Sequence, residues 1–328
     1  MSKRMHLLRS IALITCVILL GGSARAQGDG PRAFLLAPKS VWGINAKWLN
    51  LEQNIAPGNI LVPGADIKVD VFPTTVFHTF SIKGHFAQAY VMVNPGSGTA
   101  SAKGVPEILP LPTTTLNASG FSDGLVAFKM GLKGAPALNA VEFAKSPMRF
   151  SLFADVRVWY SGSYESKKLF NLGTNRLTYH LSAPMAIPLN KNRARATWLE
   201  VVPTVQFFGA NTDPARSSTA QETTQAPLFI IENHLSRNLT PKLWVVANLR
   251  FQQGGRTSAD GVEDDNNQSI LGGGFGGGYQ ALPFLGLSAD YGSIISGDNG
   301  ATSNMIRVAL TFVYISKKKL GTPVESKP

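Results

Sequence analysis

The chain has 328 residues, with 32 glycines and one cysteine, and carries 31 Lys and Arg against 20 Asp and Glu, a formal charge of +11. One cysteine excludes a disulfide framework. The basic residues are dispersed except at Lys317-Lys318-Lys319 and build neither a basic helix nor an aromatic-basic platform, which argues against nucleic acid as a partner.

Residues 1–26 read as a secretory signal. Lys3, Arg4 and Arg9 precede an apolar run from Ile11 to Leu20, and Ala24-Arg25-Ala26 forms an A-x-A cleavage site before Gln27. The run is too short to span a bilayer as a helix. Cys16 lies within it, so cleavage removes the only thiol; a lipoprotein-type cleavage at Cys16 is the alternative, which Thr15 fits poorly. The signal takes four cations and no acid, leaving 27 against 20, a net +7. No later stretch approaches 18 consecutive apolar residues, so no transmembrane helix is expected. Residues 27–40 follow as an N-terminal segment on the periplasmic side, 41–315 as the main domain and 316–328 as a basic C-terminal tail.

From Val41 to Tyr314 the chain breaks into about a dozen segments in which every second residue is apolar. Strands are expected at roughly 41–50, 67–80, 83–94, 121–133, 148–160, 174–187, 196–210, 224–237, 241–253, 267–281, 284–294 and 303–315. Connections after even-numbered strands are short, as at Ile82 to Lys83, Pro188 to Arg195, Asn238 to Thr240 and Leu282-Pro283. Those after odd-numbered strands are longer and more polar. The exception is Gly134 to Pro147, which has room for a short helix. Short turns on one rim and long loops on the other, with both termini on the short-turn side, describe an all-β fold: a transmembrane antiparallel up-and-down β-barrel of about 12 strands. A soluble sandwich or lipocalin-like barrel shares the alternation. Strands of 10–14 residues, the loop parity and the export signal favour the membrane barrel.

The polar face carries Lys68, Asp70, Lys129, Asp155, Arg157, Arg176, His180, Glu200, Glu232, Arg250, Asp290 and Arg307. Nearly balanced signs point to a narrow, salt-bridged lumen rather than a wide ion-selective pore. Asp155, Arg157, Arg176, His180, Glu200, Glu232, Arg250, Asp290 and Arg307 are the candidate lumen-lining residues, with Asp155 expected to pair with Arg176. Phe153 and Trp159 either line a path for aromatic solutes or belong to a rim girdle.

Other motifs carry less. Gly120-Phe121-Ser122-Asp123-Gly124 matches G-x-S-x-G but leads into a strand, not the helix that a nucleophile elbow requires. Gly272, Gly274 and Gly277 match G-x-G-x-x-G without a following helix N-terminus to cradle phosphate. His78, His85, His180 and His234 have no mutual ligand spacing, so no metal is expected. Glu263-Asp264-Asp265-Asn266-Asn267 lacks the alternating spacing of a calcium loop and reads as a solvated loop tip.

Four segments resemble the phenol-degradation meta-pathway family of outer-membrane proteins, candidate transporters associated with aromatic catabolism. They are Leu169-Phe170-Asn171-Leu172-Gly173-Thr174-Asn175-Arg176, similar to the family's N-L-G-x-N-R-W; Ser119 to Gly124, similar to S-G-x-G-D; Gln206 to Asn211; and Gly254 to Thr257 with Asp260-Gly261. Leu177 stands where the family has Trp, Ser122 replaces Gly, and the chain runs 14 residues past the terminal aromatic Tyr314. The resemblance implies a channel or transporter for passive uptake of small hydrophobic or aromatic molecules in the outer membrane of a Gram-negative bacterium. Its partners would be outer-membrane lipid, those solutes and the barrel-assembly machinery; no cofactor and no enzymatic activity are expected. The rivals are a structural or adhesive barrel with a plugged lumen and a barrel-embedded hydrolase using His180 or His234 with a serine.

Overall fold

In the computed structural model, residues 30–102, 115–215 and 219–316 are described; the expected signal with Cys16 and the expected tail with Lys317 to Lys319 lie outside them. Twelve strands form the wall. They are β1 (Val41–Gln53), β2 (Ala65–Val71 and Thr74–Ile82), β3 (His85–Ala102), β4 (Leu116–Lys133), β5 (Ser151–Tyr160) and β6 (Thr178–Ser182 and Met185–Pro188). Then come β7 (Thr197–Phe208), β8 (Leu228–Asn238), β9 (Leu243–Gly254), β10 (Gln268–Leu282), β11 (Leu285–Gly297) and β12 (Ser303–Ile315). Each pairs antiparallel with its neighbours in sequence. The wall closes where β1 meets β12, with Val41 opposite Ile315 at one rim and Gln53 opposite Ser303 at the other. The fold is thus a closed up-and-down barrel of 12 strands. Closure pairs every strand edge, as a hydrocarbon surround requires.

Local chemistry explains the elements. The β2–β3 turn places Lys83 and Gly84 at φ 48° and 82°, the two left-handed residues of a tight hairpin whose twist matches its strands. Pro73 cannot donate to the ladder, so β2 breaks at Phe72-Pro73; its carbonyl still accepts from the Lys47 N–H at 2.9 Å. The long Gly134–Pro147 connection holds a helix, α1 (Ala140–Lys145), started by Asn139 and Glu142 in a capping box. Outward residues are apolar through the membrane band: Trp42, Ile44, Val126, Val156, Leu181, Leu235, Leu249, Val308 and Leu310 are all exposed.

Lys68 and Asp70 depart from the expected lumen face. Both lie on the outside, where Lys68 pairs with Glu52 at 3.2 Å and Asp70 accepts from the Trp48 indole at 3.0 Å. Ile67, Val69 and Val71 point inward instead. This half of β2 stands at the long-loop end of an 18-residue neighbour, β3, whereas a bilayer needs about 9–11 residues of strand. Beyond the hydrocarbon the outside is water, so the polarity of the strand inverts.

Candidate functional site: the lumen and its two inserts

The barrel is filled from both ends. On the short-turn side the N-terminal segment runs into the interior rather than stopping at the rim. The Arg32 and Phe34 N–H groups donate to the Glu200 carboxyl at 2.7 and 3.0 Å. The Arg32 guanidinium donates to Ser236 and Asn238 and lies 4.6 Å over the Trp244 ring. That ring occupies the space a side chain would need at Gly278, its cross-strand partner. Burial lowers Arg32 to about 10, so it is still a cation at neutral pH. Phe34 is 2% exposed. The Lys129 ammonium donates to the Ala33 carbonyl at 3.0 Å and sits over the rings of Phe34, Phe86 and Phe153. Leu36 and Ala37 complete the seal by packing on Phe86, Ala135 and Phe153.

On the long-loop side the first loop folds inward as a hairpin, Ile55–Ala56 against Ile60–Leu61. Ile55 and Leu61 are buried against Ile270 of β10, Ile294 of β11 and Ala301 of the loop that leads into β12. The Asn59 side chain donates to Gln206 at 3.0 Å, while the Asn59 backbone carbonyl accepts from Gln225 and Gln268. Arg176 donates to Gln225 and to the Gly58 carbonyl and lies 4.8 Å over Phe208; burial lowers it too to about 10. Beside this hairpin, Phe170 and Leu172 of the 161–177 loop pack on Leu51, Ile67, Val69, Val71 and Met305. Asp123 anchors that loop by accepting from the Gly162 N–H, the Thr174 N–H and the Thr174 hydroxyl.

Between the inserts lies a cavity of about 270 Å³. Leu49, Leu51, Val69, Val71 and Met92 line it from β1 to β3, and Arg157, Trp159, His180, Glu232 and Arg250 line it from β5 to β9, where Val202 and Ile230 stand among them, Val202 directly opposite Glu232. Trp159 Nε1 donates to His180 Nδ1 at 3.3 Å, with the rings 5.3 Å apart.

The interior charges are arranged in pairs. Arg157 bonds Asp155 at 2.6 Å, and Tyr90 donates to the same carboxyl at 2.8 Å. Arg250 pairs with Glu232 across the β8–β9 register, and Arg307 holds Asp290 through two bonds of 2.9 and 2.6 Å. Among the expected lining residues, Arg157, His180, Glu232 and Arg250 border the cavity. Asp155, Glu200, Asp290 and Arg307 are buried in the wall around it, and Arg176 lies behind the hairpin tip. The expected Asp155–Arg176 pair is not formed. Asp155 is taken by Arg157 and Tyr90. Arg176 precedes the strand, one register step beyond Trp159 opposite Thr178, and so meets the loop amides.

Asn59, Gln206, Gln225, Gln252 and Gln268, which link wall and hairpin, had not been expected as site residues. A usable signal existed: Ile55, Ile60 and Leu61 are too apolar for a solvated loop. The four segments carrying the family resemblance converge here, since Asn175 bonds Asn211, and Gln225 bonds the Gly255 carbonyl beside Arg176.

Gly120 to Gly124 runs through the β4 strand with no elbow, and Gly272 to Gly277 lies within β10. Phe153 is wholly buried and Trp159 borders the cavity. His78 stacks on Trp42, and His234 contacts Asn248 and Glu232. In the acidic loop, Glu263 pairs with Arg256 and Asp264 accepts from Thr257. Among the described residues no cluster of three His, Cys, Asp or Glu could hold a metal.

The barrel is similar to the crystal structure of the COG4313 outer membrane channel from Pseudomonas putida F1, with a TM-score of 0.68 at 16% identity over 88% of this chain and 100% of that one. That likeness is one of fold. The beta domain of the Bordetella autotransporter BrkA gives a TM-score of 0.49 at 10% identity over 84% and 100% of the two chains. A TodX deltaS2S3 mutant, a monoaromatic hydrocarbon channel, gives 0.47 at 9% over 90% and 96%. No match was found among curated proteins. The family described as "Putative MetA-pathway of phenol degradation" matches residues 53–310, and the chain belongs to that family.

Proposed function

We propose that the protein is an outer-membrane channel through which small apolar or aromatic molecules pass passively, with the two inserts as movable closures of one lumen. The observation that carries this reading is the central cavity. Aliphatic side chains of β1 to β3 and a Trp159–His180 pair line a space of about 270 Å³, the scale of a monoaromatic solute and small against general ligand pockets. Arg157 and Arg250, which border it, are each held by a carboxylate, so they present ion pairs rather than lone cations to a solute. The solved structure most alike in fold among those described above is itself an outer membrane channel, and the family description names phenol degradation.

Uptake of labelled toluene by intact cells expressing the protein tests the reading, because the outer leaflet there is the barrier to apolar solutes. Expression should speed toluene entry and leave glucose entry unchanged, and Ile230→Arg, which places a long charged side chain in the cavity lining, should abolish the gain. Toluene entry that is independent of the protein refutes it. The reading as a structural barrel has the filled mouths in its favour and predicts that outcome.

A further inference from the structure

The two rims differ sharply in charge. Exposed acids crowd the long-loop side, with Glu52, Glu165, Glu222, Asp260, Glu263 and Asp298 among them. On the short-turn side the exposed charges are Lys133, Lys145, Lys191, Arg195, Arg237 and Lys242 and their neighbours, and Glu142 is the one acid among the described residues there. Glu142 is occupied, because its carboxyl caps the N-terminus of α1.

The level of these cations along the barrel axis identifies their partner. Four of them stand within two residues of outward apolar side chains: Lys133 after Leu132, Lys191 two after Leu189, Arg237 between Leu235 and Leu239, and Lys242 before Leu243. Arg237 itself points outward from β8, opposite Val245. Its stem therefore runs along the edge of the hydrocarbon while the guanidinium reaches out of it. A cationic ring at the margin of an apolar band lies at the depth of lipid headgroups, not in the bulk water where a soluble protein would dock.

We infer that the short-turn rim is a binding surface for anionic phospholipid headgroups of the inner leaflet, concentrated on the flank from β4 to β9. Arg193 braces this flank by lying over the Phe143 ring of α1 at 5.7 Å and donating to the Phe143 and Ser146 carbonyls. The platform that carries Lys145, Lys191 and Arg195 is thereby held as one unit. Phosphates meeting several fixed cations gain affinity that falls with ionic strength. The inference is independent of what passes through the lumen.

The mature protein in nanodiscs of equal phosphatidylglycerol and phosphatidylcholine tests it, with the retained lipid counted by native mass spectrometry after release. The protein should retain phosphatidylglycerol in preference, and Lys145→Gln/Lys191→Gln/Arg195→Gln should lower that preference by about fivefold or more. Folding is verified by heat-resistant migration. If the triple variant does not fold, Arg237→Gln/Lys242→Gln is read in its place and should lower the preference in the same direction. Lys167→Gln/Lys168→Gln, on the opposite rim, should leave it intact. Equal retention of both lipids, an unchanged preference in the rim variants, an equal loss in the opposite-rim control, or capture of an acidic protein without lipid preference would each overturn the inference.

Discussion

Glu200 and Phe34 are 166 residues apart in sequence and 3.0 Å apart in the lumen, joined by a bond from the Phe34 N–H to the buried carboxyl. The same carboxyl accepts from the Arg32 N–H at 2.7 Å, so one side chain of β7 fixes the backbone of the N-terminal segment at two points. Glu200→Ala should release the segment while sparing the wall. Bonds to a charged acceptor contribute about 1.5–3 kcal/mol each, so amide exchange over residues 30–37 should rise at least tenfold while the β7 and β8 amides stay protected.

Asp290 and Arg307 form a two-bond pair in which both side chains are 3% exposed. Removing either alone leaves a buried charge unpaired, which costs about 3–5 kcal/mol. Asp290→Ala/Arg307→Ala should therefore be less damaging than the sum of the single losses, measured as the midpoint of urea unfolding in detergent. Additive losses would mean that the pair is not a coupled unit.

Arg176 and Asp155 should behave in the opposite way. Their partners differ, Gln225 and Gly58 for one and Arg157 and Tyr90 for the other. The losses in Arg176→Ala and Asp155→Ala should add within about 0.5 kcal/mol, whereas Asp155→Ala and Arg157→Ala should couple. Arg176→Ala should also raise protease cleavage between Asn54 and Gly64, because the hairpin tip loses its clamp.

The twelve strands were legible in the sequence because a bilayer imposes one rule on every outward residue, and period-two alternation records it. The same rule misled at Lys68 and Asp70, where the strand continues past the lipid and water takes over outside. Alternation also carries no information about what enters a barrel. Phe34 and Arg32 lie in a segment without periodicity, and Ile55 to Leu61 is short enough to pass for a loop. The lumen charges were legible by position but their pairing was not, because pairing depends on register. Asp155 lies opposite Ser182 and Arg157 opposite His180, an offset that the sequence does not record. Arg32 and Glu200 could not be connected at all without the fold that threads one past the other.

Leu181 and Ser182 are adjacent in β6 and face opposite ways. Leu181 is 48% exposed to the outside, and the Ser182 hydroxyl meets Thr204 inside at 2.8 Å. Leu181→Arg should cost about 2–4 kcal/mol if it lies near the midplane and less near a rim. Ser182→Arg opens onto the cavity and should retain the heat-resistant folded band while narrowing the lumen. Equal loss of folded barrel in both variants would show that the faces are misassigned.

Single-channel recording in planar bilayers tests the central claim, that both inserts are movable closures of one lumen. The intact mature protein should be closed for most of the record, with brief small openings. Deleting residues 30–36 or replacing Ile55–Leu61 by a short glycine-serine turn should lengthen those openings, and combining the two changes should give a sustained conductance. A steady open conductance in the intact protein, or a doubly trimmed barrel that stays closed, would contradict the account.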